Sequence, residues 1–337
     1  MNVRRLIPAA ATAGAVTLGL VALSACSASD AADGKSGDKL AVTASFYPMQ
    51  FLAQQIGGDH VSVTTLTKPG VEPHDLELKP RQAAQLGDAD VIVYLKGVQP
   101  AVDEAIAQSG VPHIVDAASL TTLEKHGTEA GHAHEGEEHA ADEQGVDEQG
   151  ADEHGHGGEE GTANGGDPHI WLDPVKYAEV AKGVGASLAK ADPDHAAAYR
   201  KNTDALVEKL GGLDTAFKQG LADTTTKTFI TTHAAFGYLA ERYGLEQEAI
   251  AGIDPEAEPT PARVKELETI ARRDKVSTVF FETLASDKTA KTLAGDSGLK
   301  TDVLDPLEGI TDRSKGADYI QVMESNLAAL RKALGAK

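Results

Sequence analysis

With 337 residues, 41% of them apolar and 25% charged, the chain is long enough for two ordinary domains and can bury real cores. A formal net charge of −21 excludes nucleic acid as a partner, since phosphates need neutralising Lys and Arg, and argues against docking on an anionic membrane surface. A single cysteine, Cys26, leaves no intramolecular disulfide and no thiolate metal cluster.

Arg4 and Arg5 open the chain, and residues 6–25 carry no charge. The stretch ends in Leu23-Ser24-Ala25-Cys26, and a small, polar segment follows. Basic, apolar, then small residues at a cleavage point is the order of a secretory signal, here 1–25. The run resembles the bacterial lipobox, in which the cysteine is acylated and becomes the first residue of the mature chain. A lipid anchor at Cys26 is therefore expected, with a flexible tether over 26–38. An uncleaved transmembrane anchor fits less well, because the stretch is rich in Ala, Gly and Thr and stops at a cysteine rather than at positive charges.

From residue 39 strands alternate with helices. Residues 39–45 read as β, 48–56 as helix and 61–66 as β. Helix 80–86 leads into VIVYL (91–95), a buried parallel strand by its β-branched run, and helix 101–109 leads into strand 111–115. This alternation predicts βαβ units and a parallel sheet, a first lobe spanning 39–190. Its loop 124–166 is Gly, Ala, His and acid without apolar period, and is predicted to be disordered. Between Glu124 and Glu160 it holds 13 acidic residues and one Lys, about −12 of the net charge.

Helix dominates from 174 to 221. Asp192 followed by Pro193 reads as a cap and first helical turn. A linking helix over 191–221, about 40 Å long at 1.5 Å per residue, would join two lobes. The second lobe, 222–337, repeats the alternation: strand 228–232, helix 235–243, helix 264–272, strand 276–282, helix 288–294, strand 301–304 and a closing helix 318–334. TASFYPMQFLAQQIGG in the first half is echoed by TTHAAFGYLAERYGL in the second. The predicted class is α/β: two pseudo-symmetric lobes, each a parallel sheet with flanking helices.

The 12 histidines form two populations. His126, His132, His134, His139, His154 and His156 lie in the acidic loop, where six imidazoles among carboxylates suit auxiliary metal capture. Of the rest, His74 follows a strand and a Gly-containing turn, His169 sits in the rigid DPHIWLDP loop with the sole Trp, and His233 stands at a strand's carboxyl end. Ligands in open α/β sheets bind at such ends, and three imidazoles suit a borderline-soft metal. His60, His113 and His195 read as structural or surface residues.

The blocks VEPHDLELKP, DPHIWLDP, TTHAAFGYLA, DPEAEPTPARV, VFFETLAS and LDPLEGIT resemble, in order, the metal-binding solute-binding lipoproteins of zinc and manganese ABC importers, from about residue 40 to the C-terminus. The His-rich loop also falls where the zinc-type members carry one. The resemblance implies two lobes joined by one long helix, with metal held between them by His74, His169 and His233. Glu308 is the first choice for a fourth ligand, with Gly309 freeing its turn; Asp305 and Asp312 are the second and third. Glu72 would hydrogen-bond beside His74 or compete as a ligand. Manganese members typically place a carboxylate where His233 stands, so Zn2+ is favoured over Mn2+. The implied partner is an ABC importer permease, the implied location the outer face of the membrane, and the expected state a monomer. A metal-dependent adhesin and a zinc hydrolase with Glu72 or Glu282 as base are the alternatives; no block resembles a hydrolase motif.

Overall fold

The computed structural model describes residues 39–126 and 166–337. Cys26, the signal and tether segments, and His132, His134, His139, His154 and His156 lie outside the described residues.

The first lobe runs β1 (Leu40–Ala44), α1 (Tyr47–Gly57), β2 (Val61–Thr65), α2 (Pro80–Gln85), β3 (Val91–Tyr94), α3 (Pro100–Ser109) and β4 (His113–Asp116). Its strands pair in parallel in the order β2-β1-β3-β4. Two helices follow, α4 (Pro174–Ala191) and α5 (Ala196–Gly220). The second lobe runs β5 (Thr228–Thr231), α6 (Gly237–Tyr243), β6 (Glu246–Ala249), α7 (Pro261–Arg273), β7 (Thr278–Phe281), α8 (Lys288–Ser297), β8 (Lys300–Val303) and α9 (Tyr319–Leu334). Its sheet, again parallel, has the order β6-β5-β7-β8, the same permutation as the first. In each sheet the chain crosses from the first strand to one side and then to the other, so each has a topological switch point beside its first strand.

β6 was not foreseen in the sequence. Its segment, EQEA, is polar and edges the sheet, pairing on one side with β5. An edge strand buries one flank and tolerates residues of weak β propensity. The long helix also starts later than expected. Pro193–His195 form a single tight 3-10 turn, and α5 begins at Ala196. The Asp192 carboxylate accepts from the Tyr199 hydroxyl at 2.6 Å and pairs with His195 Nδ1 at 2.7 Å, bracing the α4–α5 corner instead of capping α5.

Helix starts carry their own chemistry. Asp173 accepts from Val175 N and Lys176 N at α4, Thr260 from Arg263 N at α7 and Asp318 from Gln321 N at α9. Each satisfies donors that have no partner within the helix. One continuous core gathers β1, α1 and β3 of the first lobe with α4, α5, α6 and α9, and smaller clusters lie under the outer flank of each sheet. α5 meets α1 near its start, where Asn202 Nδ2 donates to Ile56 O, and α9 near its end, where Gly220 packs against Leu327, so it belongs to both lobes.

α4 and α5 cross closely at Gly185. A Cβ there would stand 2.1 Å from Thr203 Oγ1, whereas one at Gly211 meets nothing within 4 Å. Gly185→Ala is expected to cost about 1–3 kcal/mol, as overpacking does. Gly211→Ala is expected to be neutral or to stabilise by up to about 1 kcal/mol through helix propensity. Thermal unfolding of both variants checks the crossing; equal midpoints would remove the close approach.

Candidate metal centre

Loops from both lobes converge between the sheets. His74 arrives after β2, in a loop that turns at Gly70 with φ +80°. His169 precedes a short 3-10 turn, Ile170–Leu172, that leads into α4. His233 follows the carboxyl end of β5 by two residues, and Glu282 follows β7 directly. β5 and β7 are neighbours, so these two stand at the switch point of the second sheet.

Glu308 lies at the centre. Its Oε1 is 3.3 Å from His74 Nε2, 3.1 Å from His169 Nε2 and 3.2 Å from His233 Nε2. His169, His233 and Glu308 are buried, and His74 remains 12% exposed at its side chain. In a tetrahedral zinc site with bonds of about 2.0–2.2 Å, neighbouring donors lie about 3.3 Å apart. The Glu308 oxygen and each of the three imidazole nitrogens therefore have the spacing of donors around one small cation. The Glu308 Oε2 and Glu282 Oε2 atoms are buried without a hydrogen bond among the described residues, leaving lone pairs for a cation to satisfy.

Two of the rings are held from behind through Nδ1. His169 Nδ1 lies 2.7 Å from Asp167 Oδ1, and His233 Nδ1 lies 2.8 Å from Glu282 Oε1. Glu282 also accepts from Thr232 Oγ1. Carboxylates behind imidazoles fix the tautomer and leave Nε2 free to ligate. His74 is held differently, through its backbone N–H, which donates to Glu72 Oε1 at 3.1 Å.

Electrostatics follow from this packing. Burial alone would raise the Glu308 carboxyl, but His233, His169 and His74 outweigh it and hold it well below the usual range. Burial opposes charge on His233, yet Glu282 and Glu308 lift it well above the ordinary histidine value. His169 is raised against burial by Asp167 and Glu308. Glu72 is pushed up to about 9, first by burial and then by the charge of Glu308.

The turn that delivers Glu308 is built by its neighbours. Asp305 Oδ1 accepts from Leu307 N at 2.9 Å and its Oδ2 from Thr283 Oγ1 at 3.1 Å. Asn326 of α9 grips the Asp305 backbone twice, accepting from its N at 2.9 Å and donating to its O at 2.7 Å. Leu307 carries the left-handed backbone, φ +61°, and is fully buried. Gly309, expected to free this turn, is not at positive φ. Strain of this kind persists only where the surroundings over-determine it. Asp305 thus shapes the turn and is itself spent on hydrogen bonds. Asp312 is exposed, beside a surface cleft with Pro69 and Gly70.

Residues 42–333 match the family described as "Zinc-uptake complex component A periplasmic", ZnuA. The chain belongs to this family. It is 38% identical over 312 residues to the "Zinc-binding lipoprotein AdcA" of Streptococcus pneumoniae, covering 92% of this chain and 58% of that protein. The chain therefore spans little more than half the length of that relative. It is 36% identical to the "High-affinity zinc uptake system protein ZnuA" of Bacillus subtilis over 331 residues, covering 94% of this chain and 97% of that one. Among solved structures, the Zn(II)-bound ZnuA-like domain of Streptococcus pneumoniae AdcA superposes with TM-score 0.68 at 33% identity, covering 88% of this chain and 99% of that one. The laminin-binding protein Lmb of Streptococcus agalactiae, described as having adhesin and metal-transporting activity, superposes with TM-score 0.72 at 28% identity, covering 88% and 99%.

The sequence did not single out Asp167, and it put Glu282 forward only as a hydrolase base. Asp167 could have been found two residues before His169 in DPH, a spacing that lets its carboxylate reach back to the ring. Glu282 could have been found as the charged residue ending the apolar strand VFFE. His126, grouped by composition with the acidic loop, is docked instead on the ZnuA-type scaffold: its ring meets Tyr238 edge-on at 4.5 Å.

Proposed function

We propose that this chain captures Zn2+ between its lobes through His74, His169, His233 and Glu308 and hands it to the permease of an ABC importer. The observation that carries this reading is the Glu308 oxygen placed 3.1–3.3 Å from three imidazole nitrogens. Three nitrogens and one oxygen suit zinc; a manganese site favours more oxygen. The chain binds its cargo and does not transform it. A hydrolase needs a general base aimed at a metal-bound water, and the Glu282 oxygen nearest the site, Oε1, is taken by His233 and Thr232. An adhesin needs an exposed apolar patch, and the exposed large hydrophobic residues among those described are Val71 and Ile114.

Acylation of Cys26 would tether the chain, acting as a monomer, to the outer face of the membrane within reach of the permease. The support is the LSAC run at the end of an uncharged stretch together with the zinc-uptake family of the rest of the chain. Metal analysis of the untagged protein lacking residues 1–25 tests the central claim. About one zinc per chain should survive dialysis against a weak chelator. Recovery of manganese in its place, or of no tightly held metal, would overturn it.

A further inference from the structure

The acidic insert meets the fold at a neck built from both of its ends. Asp167 N donates to Glu124 O at 2.7 Å. The Tyr238 hydroxyl, from α6 of the second lobe, accepts from Glu124 N and donates to Asp167 O, each at 2.8 Å. His126 seats in this neck against Gly237, where a Cβ would lie 2.2 Å from the His126 Cβ. A side chain on the glycine that opens α6 would therefore collide with the imidazole.

Around that imidazole stand donors from both lobes. His126 Nε2 is 2.6 Å from Glu241 Oε2 of α6 and 3.9 Å from Glu124 Oε2. One ligating atom from each of the three lies within 4.8 Å of the others. Lys176 takes the other Glu124 oxygen, Oε1, at 2.6 Å, which leaves Oε2 turned to the cluster. Behind the ring, Nδ1 of His126 faces Asp167 Oδ2 at 3.4 Å. Both atoms are buried and neither has a hydrogen bond among the described residues, and Asp167 is 0% exposed. The three carboxylates, set against one ammonium, leave a net charge near −2, matched to a dication.

We propose that Glu124, His126 and Glu241 form a second site for a zinc-type divalent cation, linked to the inter-lobe site by the shared carboxylate of Asp167. The link rests on the reading of His169 as a ligand of the first site. Asp167 then faces two imidazoles at once, its Oδ1 bonded to His169 at 2.7 Å and its Oδ2 3.4 Å from His126 Nδ1, and a carboxylate behind a ligating histidine aligns it and raises its basicity. One imidazole and two carboxylates suit zinc, with a coordination position left for water, better than they suit calcium or magnesium, which take oxygen throughout. The weaker donor set makes this the looser of the two sites. The insert, with its five further histidines in residues 127–165, joins the chain next to it. A cation bound here joins the neck to α6 and waits one carboxylate away from His169.

The test is a zinc titration of the full chain against a competing chromophoric chelator, run on the wild type, Glu241→Gln, His126→Ala and His233→Ala. Glu241 is 61% exposed at its side chain, so its change leaves the fold intact. Glu241→Gln and His126→Ala should each weaken one zinc equivalent by about 10-fold or more while the tightest equivalent keeps its place. His233→Ala should do the reverse, losing the tightest equivalent and sparing the second, so failure of the central site and failure of the neck site give different curves. Two results overturn the proposal: curves for Glu241→Gln and His126→Ala that match the wild type, or an effect of His126→Ala without one of Glu241→Gln, which would place the metal on histidines of the insert alone. A zinc-edge anomalous map of zinc-loaded crystals should also show a peak within about 2.2 Å of His126 Nε2; its absence counts equally against the site.

Discussion

Replacing His233 with alanine is expected to weaken zinc binding by more than about 100-fold, a loss beyond the 10–100-fold that outer-shell changes cost at metal sites. The residue is 1% exposed, and its two nitrogens are divided between Glu282 and Glu308. Without the imidazole the cation loses a donor, and two buried carboxylates lose the positive partner between them, so part of the effect should appear as lower stability of the metal-free chain. Glu308→Gln separates the two effects. It keeps the shape and three imidazoles but removes the charge, and should weaken zinc by a smaller factor, about 10–100-fold. Competition titration gives both affinities, and thermal unfolding without metal gives the stability part. A His233→Ala affinity within 10-fold of the wild type would remove His233 from the ligand set.

The second large effect concerns Trp171, the sole tryptophan. It is 0% exposed and meets Phe46 of the first lobe edge-on at 5.1 Å. Its Nε1 donates to Pro306 O in the second lobe at 2.7 Å, two residues before Glu308, and its own carbonyl accepts from the Tyr319 hydroxyl of α9. The His169 ring lies 5.1 Å away. Trp171→Ala should cost about 3–5 kcal/mol, the range for emptying a large aromatic site, and should loosen zinc as well because the turn carrying Glu308 loses its tie. Trp171→Phe keeps most of the ring volume and loses the hydrogen bond, for about 1–3 kcal/mol through the unsatisfied Pro306 carbonyl. Denaturant unfolding followed by circular dichroism measures both, since the change removes the native fluorophore. Unfolding midpoints for Trp171→Ala equal to the wild type would show that the ring does not brace the two lobes.

Much of this molecule is legible in its residues. β-branched runs such as VIVYL give the strands, and the echo between the two halves is realised as the same strand permutation in both sheets. The three histidines that stand out by context, and the first-choice glutamate, meet at one oxygen. What stayed hidden depends on contacts that no local pattern encodes. EQEA carries no strand signal because edge pairing alone holds it. The left-handed residue beside Glu308 is Leu307, not the adjacent glycine, because Asn326 and Thr283 fix the Asp305 turn from distant parts of the chain. His126 shared its composition with the insert, and nothing near it in sequence announces Gly237 and Tyr238, more than a hundred residues on.

The single core shared by the two lobes has a kinetic consequence. Swinging the lobes apart would expose the aromatic and aliphatic packing of α1, α5 and α9 together, at a cost that grows with the apolar area opened. On the proposed reading, cargo held by His74, His169, His233 and Glu308 is expected to leave by a local route, with a residence time set by the donor that detaches most easily. His169 and His233 are backed by carboxylates, and Glu308 rides on a turn pinned to α9. His74 is the partly exposed one, on a loop anchored near the ring by its own amide. A docking partner that draws this one loop outward is expected to lower the coordination number first and to speed dissociation while the rest of the protein keeps its folded shape.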